Sequence, residues 1–192
     1  MRGVNVAGLL FLGLFVGCDL TIPIEVETDP TTIDGNPLCV DTELLDVLPD
    51  SLSEPVTDMF SSVLQVVFDT LVPEIESAVD SQNTGPVADI SLTTLVVRQD
   101  SPPSDPGPSN SLGFLSSMVL TLGSVGDLPA VELGRVEDIP DNATRLDFVV
   151  NPELNLNPYI EAGLSVMVEP ELKTCPQDDV VVTTLLAVEA SF

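Results

Sequence analysis

The sequence predicts a mainly β fold: an Ig-like antiparallel β-sandwich of about seven strands with one amphipathic helix packed on it. Three features carry that prediction. From Val87 onward, short apolar or alternating segments are separated by Gly, Pro, Asn and Asp breakers. Only residues 51–80 repeat apolar side chains at strongly helical spacing. Val180–Val188 is an almost continuous apolar run, the texture of a strand buried on both faces in the middle of a sheet.

In chain order, Leu20–Thr28 alternates, with Ile22, Ile24 and Val26 on one side and Thr21, Glu25 and Glu27 on the other. This is a half-buried strand. Asp29–Pro37 reads as a turn-rich connector, because Asp29-Pro30 and Asp34-Gly35 are breakers. A short helix is expected near Thr42–Val47. The main helix starts with a capping-box pair, Ser51 and Glu54, and tolerates Pro55 in its first turn. Its apolar positions are Val56, Met59/Phe60, Val63/Leu64, Val67, Leu71, Ile75 and Val79. Pro73 should kink or break it near Leu71, because proline lacks the N–H and crowds the carbonyl four residues back.

Six further strands are expected at Asp89–Arg98, Ser117–Leu122, Ala130–Val136, Arg145–Val150, Leu164–Glu169 and Val180–Ala190, the last two as a hairpin with Cys175 in its connection. The helix would cover one sheet face or an open edge. Residues 99–111, with four prolines in thirteen positions, form a loop expected to be mobile and, as the longest one, a candidate contact region.

Composition narrows the function classes. Five Lys and Arg stand against 31 Asp and Glu, a formal net charge of −26, which disfavours nucleic-acid binding. With 44% hydrophobic residues, the chain nevertheless has material for a core and is not a disordered acidic tail. There is no His, which excludes Ser–His and Cys–His nucleophile pairs and His-ligated metals. The one lysine, Lys173, has no SxxK context, and no Gly-rich loop opens a strand–turn–helix unit. Acidic residues are spread along the chain, and no spacing selects a catalytic pair. No catalytic residue, metal ligand or cofactor is therefore assigned, and the expectation is a protein that is not an enzyme.

The N-terminus carries the most specific signal. Arg2 is followed by the apolar run Val4–Val16, interrupted only by Asn5. As a helix it would rise about 20 Å, short of the ~30 Å hydrocarbon core, so it suits the apolar region of a secretory signal. It ends in Phe15-Val16-Gly17-Cys18, then Asp19. This resembles a bacterial lipoprotein signal, with Gly17 and Cys18 matching the lipobox and Phe15 standing where the family usually has Leu. The resemblance covers the first tenth of the chain. It implies cleavage before Cys18, a diacylglycerol thioether on its sulfur, and acylation of the new amine. Residues 1–17 would be the signal peptide and residues 18–192 one globular domain, exported and tethered to an inner or outer membrane of the cell envelope.

The remaining cysteines, Cys39 and Cys175, lie in turn-like stretches, and an oxidising envelope favours a disulfide between them. Calcium is weighed as a partner at two acidic turns, Asp34-Gly35-Asn36 and Glu137–Asn142, and at Asp178-Asp179. None completes a known ligand ladder. The terminal Phe192 after Leu186, Val188 and Ala190 resembles the last strand of an outer-membrane barrel. One Tyr and no Trp supply no aromatic girdles for such a barrel. The leading expectation is a lipid-anchored, non-enzymatic envelope protein that binds an envelope protein or glycan or contributes structurally. Carriage of an apolar ligand or lipid between helix and sheet is the alternative, and calcium-dependent surface adhesion a weaker one.

Overall fold

The computed structural model of the chain describes residues 21–33, 35, 53–82, 87–174, 176 and 178–192. Among them are nine strands: β1 (Thr21–Glu27), β2 (Thr31–Ile33), β3 (Asp89–Gln99), β4 (Leu115–Leu122), β5 (Val131–Val136), β6 (Arg145–Asp147), β7 (Val149–Val150), β8 (Val166–Leu172) and β9 (Val180–Ser191). A long helix, α1 (Ser53–Gln82), and a short one, α2 (Asn157–Glu161), complete the set. The strands form two antiparallel sheets, ordered β1–β9–β3–β6 and β7–β5–β4–β8, which make a β-sandwich. β1 and β2 share one edge of β9 end to end. β1 takes Leu185–Ser191 and β2 takes Val180–Val182, while β3 occupies the other edge.

β9 is central because its composition permits nothing else. The inward residues Val180, Val182, Thr184, Leu186, Val188 and Ala190 are all buried, and Thr183 on the opposite face is buried too. They meet Ile24 and Val26 of β1, Leu95 and Val97 of β3, and Met118, Leu120 and Leu122 of β4 in one continuous core. Each fully buried Leu, Val or Phe side chain contributes roughly 1.5–3 kcal/mol relative to its exposed state. The polar alternates point outward, Glu25 and Glu27 on β1 and Glu169 and Glu171 on β8 among them.

The helix closes one open side of the sandwich. α1 packs mainly on β8 and β1, the end strands of the two sheets, and so covers two edges with a single element. Its buried stripe is Phe60, Leu64, Val67, Phe68, Leu71 and Ile75, the expected helical period. Of the kink or break expected near Leu71, the break does not occur: α1 runs through Pro73 as one helix. Pro73 and Asp69, whose carbonyl loses its partner, both lie on the exposed side, where water can satisfy the freed oxygen. Ser51 and the helix expected near Thr42–Val47 lie outside the described residues.

The strand map differs from the sequence expectation in three places. The connector after β1 contains β2, a three-residue strand laddered to β9 with Ile33 fully buried in the core. The single strand expected over Arg145–Val150 is two, because the chain changes sheets at Phe148. The Phe148 N–H still donates to the Leu95 carbonyl of the first sheet at 3.0 Å, while Val149 and Val150 pair with β5 in the second. The Phe148 side chain is buried between the sheets. β8 and β9 are also not a hairpin: β8 pairs with β4 in the other sheet, because β1, β2 and β3 occupy both edges of β9.

Candidate functional site

Among the described residues the side chains offer little reactive chemistry. The buried polar residues are Gln99, Ser111, Thr183 and Thr184, all neutral. Gln99 Oε1 and the hydroxyl oxygens of Thr183 and Thr184 have no hydrogen-bond partner in the protein. Every Asp and Glu whose side chain is described is exposed except Glu74 and Glu132, which are half-buried. A general acid raised by burial thus has no candidate here. No three acidic or thiol side chains converge as a metal-binding group among the described residues.

The described cations are all engaged. Arg98 on β3 reaches across β9 to Glu27 on β1. Arg135 bonds Glu132 at 2.7 Å and lies 3.5 Å from Glu137. The Glu132 hydrogen bond, more than the charges, holds the Arg135 guanidinium above its ordinary range. Arg145 forms a forked pair with Asp147 at 2.7–3.0 Å. The hydrogen bond from Arg145 holds the Asp147 carboxyl below the usual carboxylate range. Each of these guanidinium groups is paired with a carboxylate of this chain.

Lys173 explains one of the acidic turns. Its ammonium donates to the Ile139 carbonyl and to Asp141 Oδ1, the latter at 2.9 Å. Two oxygens that could have faced a hard cation in Glu137–Asn142 therefore face a lysine instead. The backbone turns sharply there, with Asp138 at a φ of 52°. The same turn is held from below: the Ser111 hydroxyl sits 3.4 Å from the Asp141 carbonyl. A Cβ on Gly113 would lie 1.9 Å from that carbonyl oxygen, so only glycine fits the crossing.

Gly35 meets the Asp178-Asp179 turn at one end of the first sheet. The Gly35 N–H donates to Asp179 Oδ1 at 3.1 Å, and a Cβ on Gly35 would lie 2.4 Å from the Asp178 carbonyl oxygen. The Asp178 N–H donates to the Ser109 carbonyl at 3.1 Å. The proline-rich loop is thereby joined to the segment before β9. Its first expected residue, Gln99, belongs to β3 and donates from Nε2 to the Asn110 carbonyl at 3.0 Å. Asn110 and Ser111 each bond Gly107. Sequence spacing gave no hint of these tertiary contacts, since Gly35 and Asp179 are 144 positions apart.

The described face of α1 toward the sheets is sealed from solvent. Phe60, Leu64, Val67 and Leu71 are fully buried against the sheets, with Phe68 nearly so. A cleft of about 140 Å³ beside α1 is lined by Gln65, Phe68, Asp69, Val72, Ile160 and Leu164. Ligand pockets are larger, about 300–1,000 Å³. Gln65 also pins the cleft from above, Nε2 donating to the Leu164 carbonyl at 3.4 Å and Oε1 accepting from the Val166 N–H at 3.4 Å.

The three cysteines singled out by sequence, Cys18, Cys39 and Cys175, lie outside the described residues, as do Asp34 and Asn36. No helix among the described residues is long and apolar enough to cross a membrane. Comparison with family models, with curated proteins and with solved structures finds no match.

Proposed function

We propose that this is a lipid-anchored, non-enzymatic protein of a bacterial cell envelope, held by acyl chains on Cys18 and acting as a binding or structural module. The observation that carries the reading is the apolar run Val4–Val16 ending at Gly17-Cys18-Asp19. Acyl chains bury CH₂ groups at about 0.8 kcal/mol each, so two or more give a stable anchor. The character of the body supports the reading: its described acids are solvated or paired, and its buried polar side chains are neutral.

A Cys39–Cys175 disulfide belongs to the same proposal. Gly35, four positions before Cys39, touches Asp178 and Asp179, three and four positions after Cys175. The contact between these flanking residues is the observation that supports the pairing. A bridge there closes a loop over most of the domain, worth about 4–5 kcal/mol in the chain-entropy description.

Intact mass of the protein extracted from membranes, with and without reductant, tests all of this. The expected species begins at Cys18, carries the mass of its acyl chains, and gains two hydrogens on reduction. An unmodified full-length chain refutes the anchor. A Cys18→Ser variant should lose co-flotation with lipid vesicles, and undiminished flotation is the contrary result.

A further inference from the structure

The position of β1 fixes which end of the sandwich meets the bilayer. Thr21 is already in the ladder, paired with Ser191, and Asp89 pairs with Ser191 from the other side. Only Asp19 and Leu20 separate Cys18 from Thr21. Three residue steps span at most about 11 Å in any conformation. An acylated Cys18 therefore keeps the Thr21–Ser191–Asp89 row within that reach of the headgroups, with no linker on which the body could turn over freely.

We infer that this row, with Val87 and Phe192 beside it, is the membrane-facing end of the domain. The opposite end of the first sheet, with loop 100–111 and the Asp178-Asp179 turn, then points away from the lipid surface. The inference rests on the acylation of Cys18 proposed above. β9 gives the scale: from Ser191 to Val180 it runs eleven steps of about 3.3 Å, so the far end stands roughly 35 Å from the near one. Loop 100–111 attaches there, through the Asp100 N–H to the Val181 carbonyl at 2.9 Å and the Asp178 N–H to the Ser109 carbonyl.

The near-end row itself carries one exposed carboxylate, Asp89, fewer than the flanks do. Val87 and Phe192 are half-buried apolar side chains at the near end. The flanks carry exposed carboxylates: Glu25 and Glu27 on β1, Glu169 and Glu171 on β8, and Asp58, Asp69 and Glu76 on α1. Lying flat would press these carboxylates against headgroups, with loss of hydration and, on anionic lipid, like-charge repulsion. The four described cations are elsewhere. Arg98 and Arg145 pair near the far end of the first sheet, Lys173 bonds the Ile139–Asp141 turn, and Arg135 pairs with the middle of β4. Electrostatic attraction to anionic lipid has no part in the near-end contact.

The absence of Trp from the sequence makes the test direct. Single-tryptophan variants Val87→Trp, Phe192→Trp and Ser104→Trp are purified acylated and reconstituted in phosphatidylcholine vesicles containing a lipid with a nitroxide on its headgroup. Val87→Trp and Phe192→Trp should lose at least twice as much fluorescence as Ser104→Trp, which lies in the exposed far loop. Two near-end variants guard against one that folds poorly. Equal quenching at both ends, or stronger quenching of Ser104→Trp, overturns the orientation. Flotation and intact mass on the same samples separate the two proposals. An unacylated chain that stays off the vesicles refutes the anchor and the orientation with it. An acylated, floating chain with equal or reversed quenching refutes the orientation alone.

Discussion

Replacing Lys173 by Met removes the only lysine in the chain while keeping much of its aliphatic stem. Two acceptors then lose their cation: the carbonyl of Ile139, whose side chain is buried, and the Asp141 carboxylate. The Lys173 side chain is 29% exposed and that of Asp141 73%. An ion pair this wet contributes at most about 1 kcal/mol. The bond from a charged donor to the Ile139 carbonyl contributes about 1.5–3 kcal/mol where nothing replaces it. Water can reach the Asp141 side of the turn, so a net loss of about 1.5–2.5 kcal/mol is expected. For a domain of this size that lowers Tm by roughly 3–10 °C. Urea unfolding measures it as a lower midpoint at unchanged slope. Lys173→Arg, which keeps the charge and the donors, should recover at least half of the loss. A Lys173→Met variant within about 0.5 kcal/mol of the parent would show that the clamp on the 137–142 turn does not hold it.

Three other outcomes are expected. Phe68→Ala empties a nearly fully buried position in the α1 stripe and should cost about 3–5 kcal/mol by calorimetry; a loss under about 1 kcal/mol would mean that α1 is not seated on the sheets as described. Arg145→Gln should move the Asp147 titration, followed by NMR, upward toward its ordinary value of 3.8. Because that carboxyl is held low in the folded state, its pair with Arg145 stabilises above the unfolded pKa and fades as pH falls through the folded one; an unmoved titration contradicts the pairing. Finally, the 31 acids among residues 18–192 face only 4 bases and repel one another, so the Tm of that body should rise between low and molar NaCl, and a flat profile would show that self-repulsion is not a significant destabilising force.

What could be read from the sequence was local. The α1 stripe is a repeat within one element, and the central place of β9 follows from an apolar run whose outward members Val181, Leu185 and Ala187 are half-buried. The strands are legible because breakers separate them. β2 was not legible, because Thr31–Ile33 sits between breakers and becomes a strand only through β9, about 150 positions later. The change of sheets at Phe148 was hidden for a different reason: Leu146, Phe148 and Val150 alternate as in one unbroken strand, and side-chain period does not report which backbone lies alongside. The β8–β9 hairpin was misread because neighbours in sequence need not share a sheet. The signal around Cys18 is contiguous in sequence, and Cys18 itself lies outside the described residues. The Lys173 clamp joins positions 32 and 34 apart, and residue spacing contains nothing that selects Asp141 from the other acids.

The place of β9 in chain order has a consequence for biogenesis. β1, β2 and β3 each zip onto β9, and none of the three is laddered to another. The earliest strand therefore waits for a partner some 170 positions downstream, and pairings so distant close slowly. Until residues 180–191 have been synthesised, half of the sandwich has nothing to assemble around. Were the chain exported as proposed, such a delay would keep it pliable during translocation, and the sandwich would assemble once its final segment had crossed.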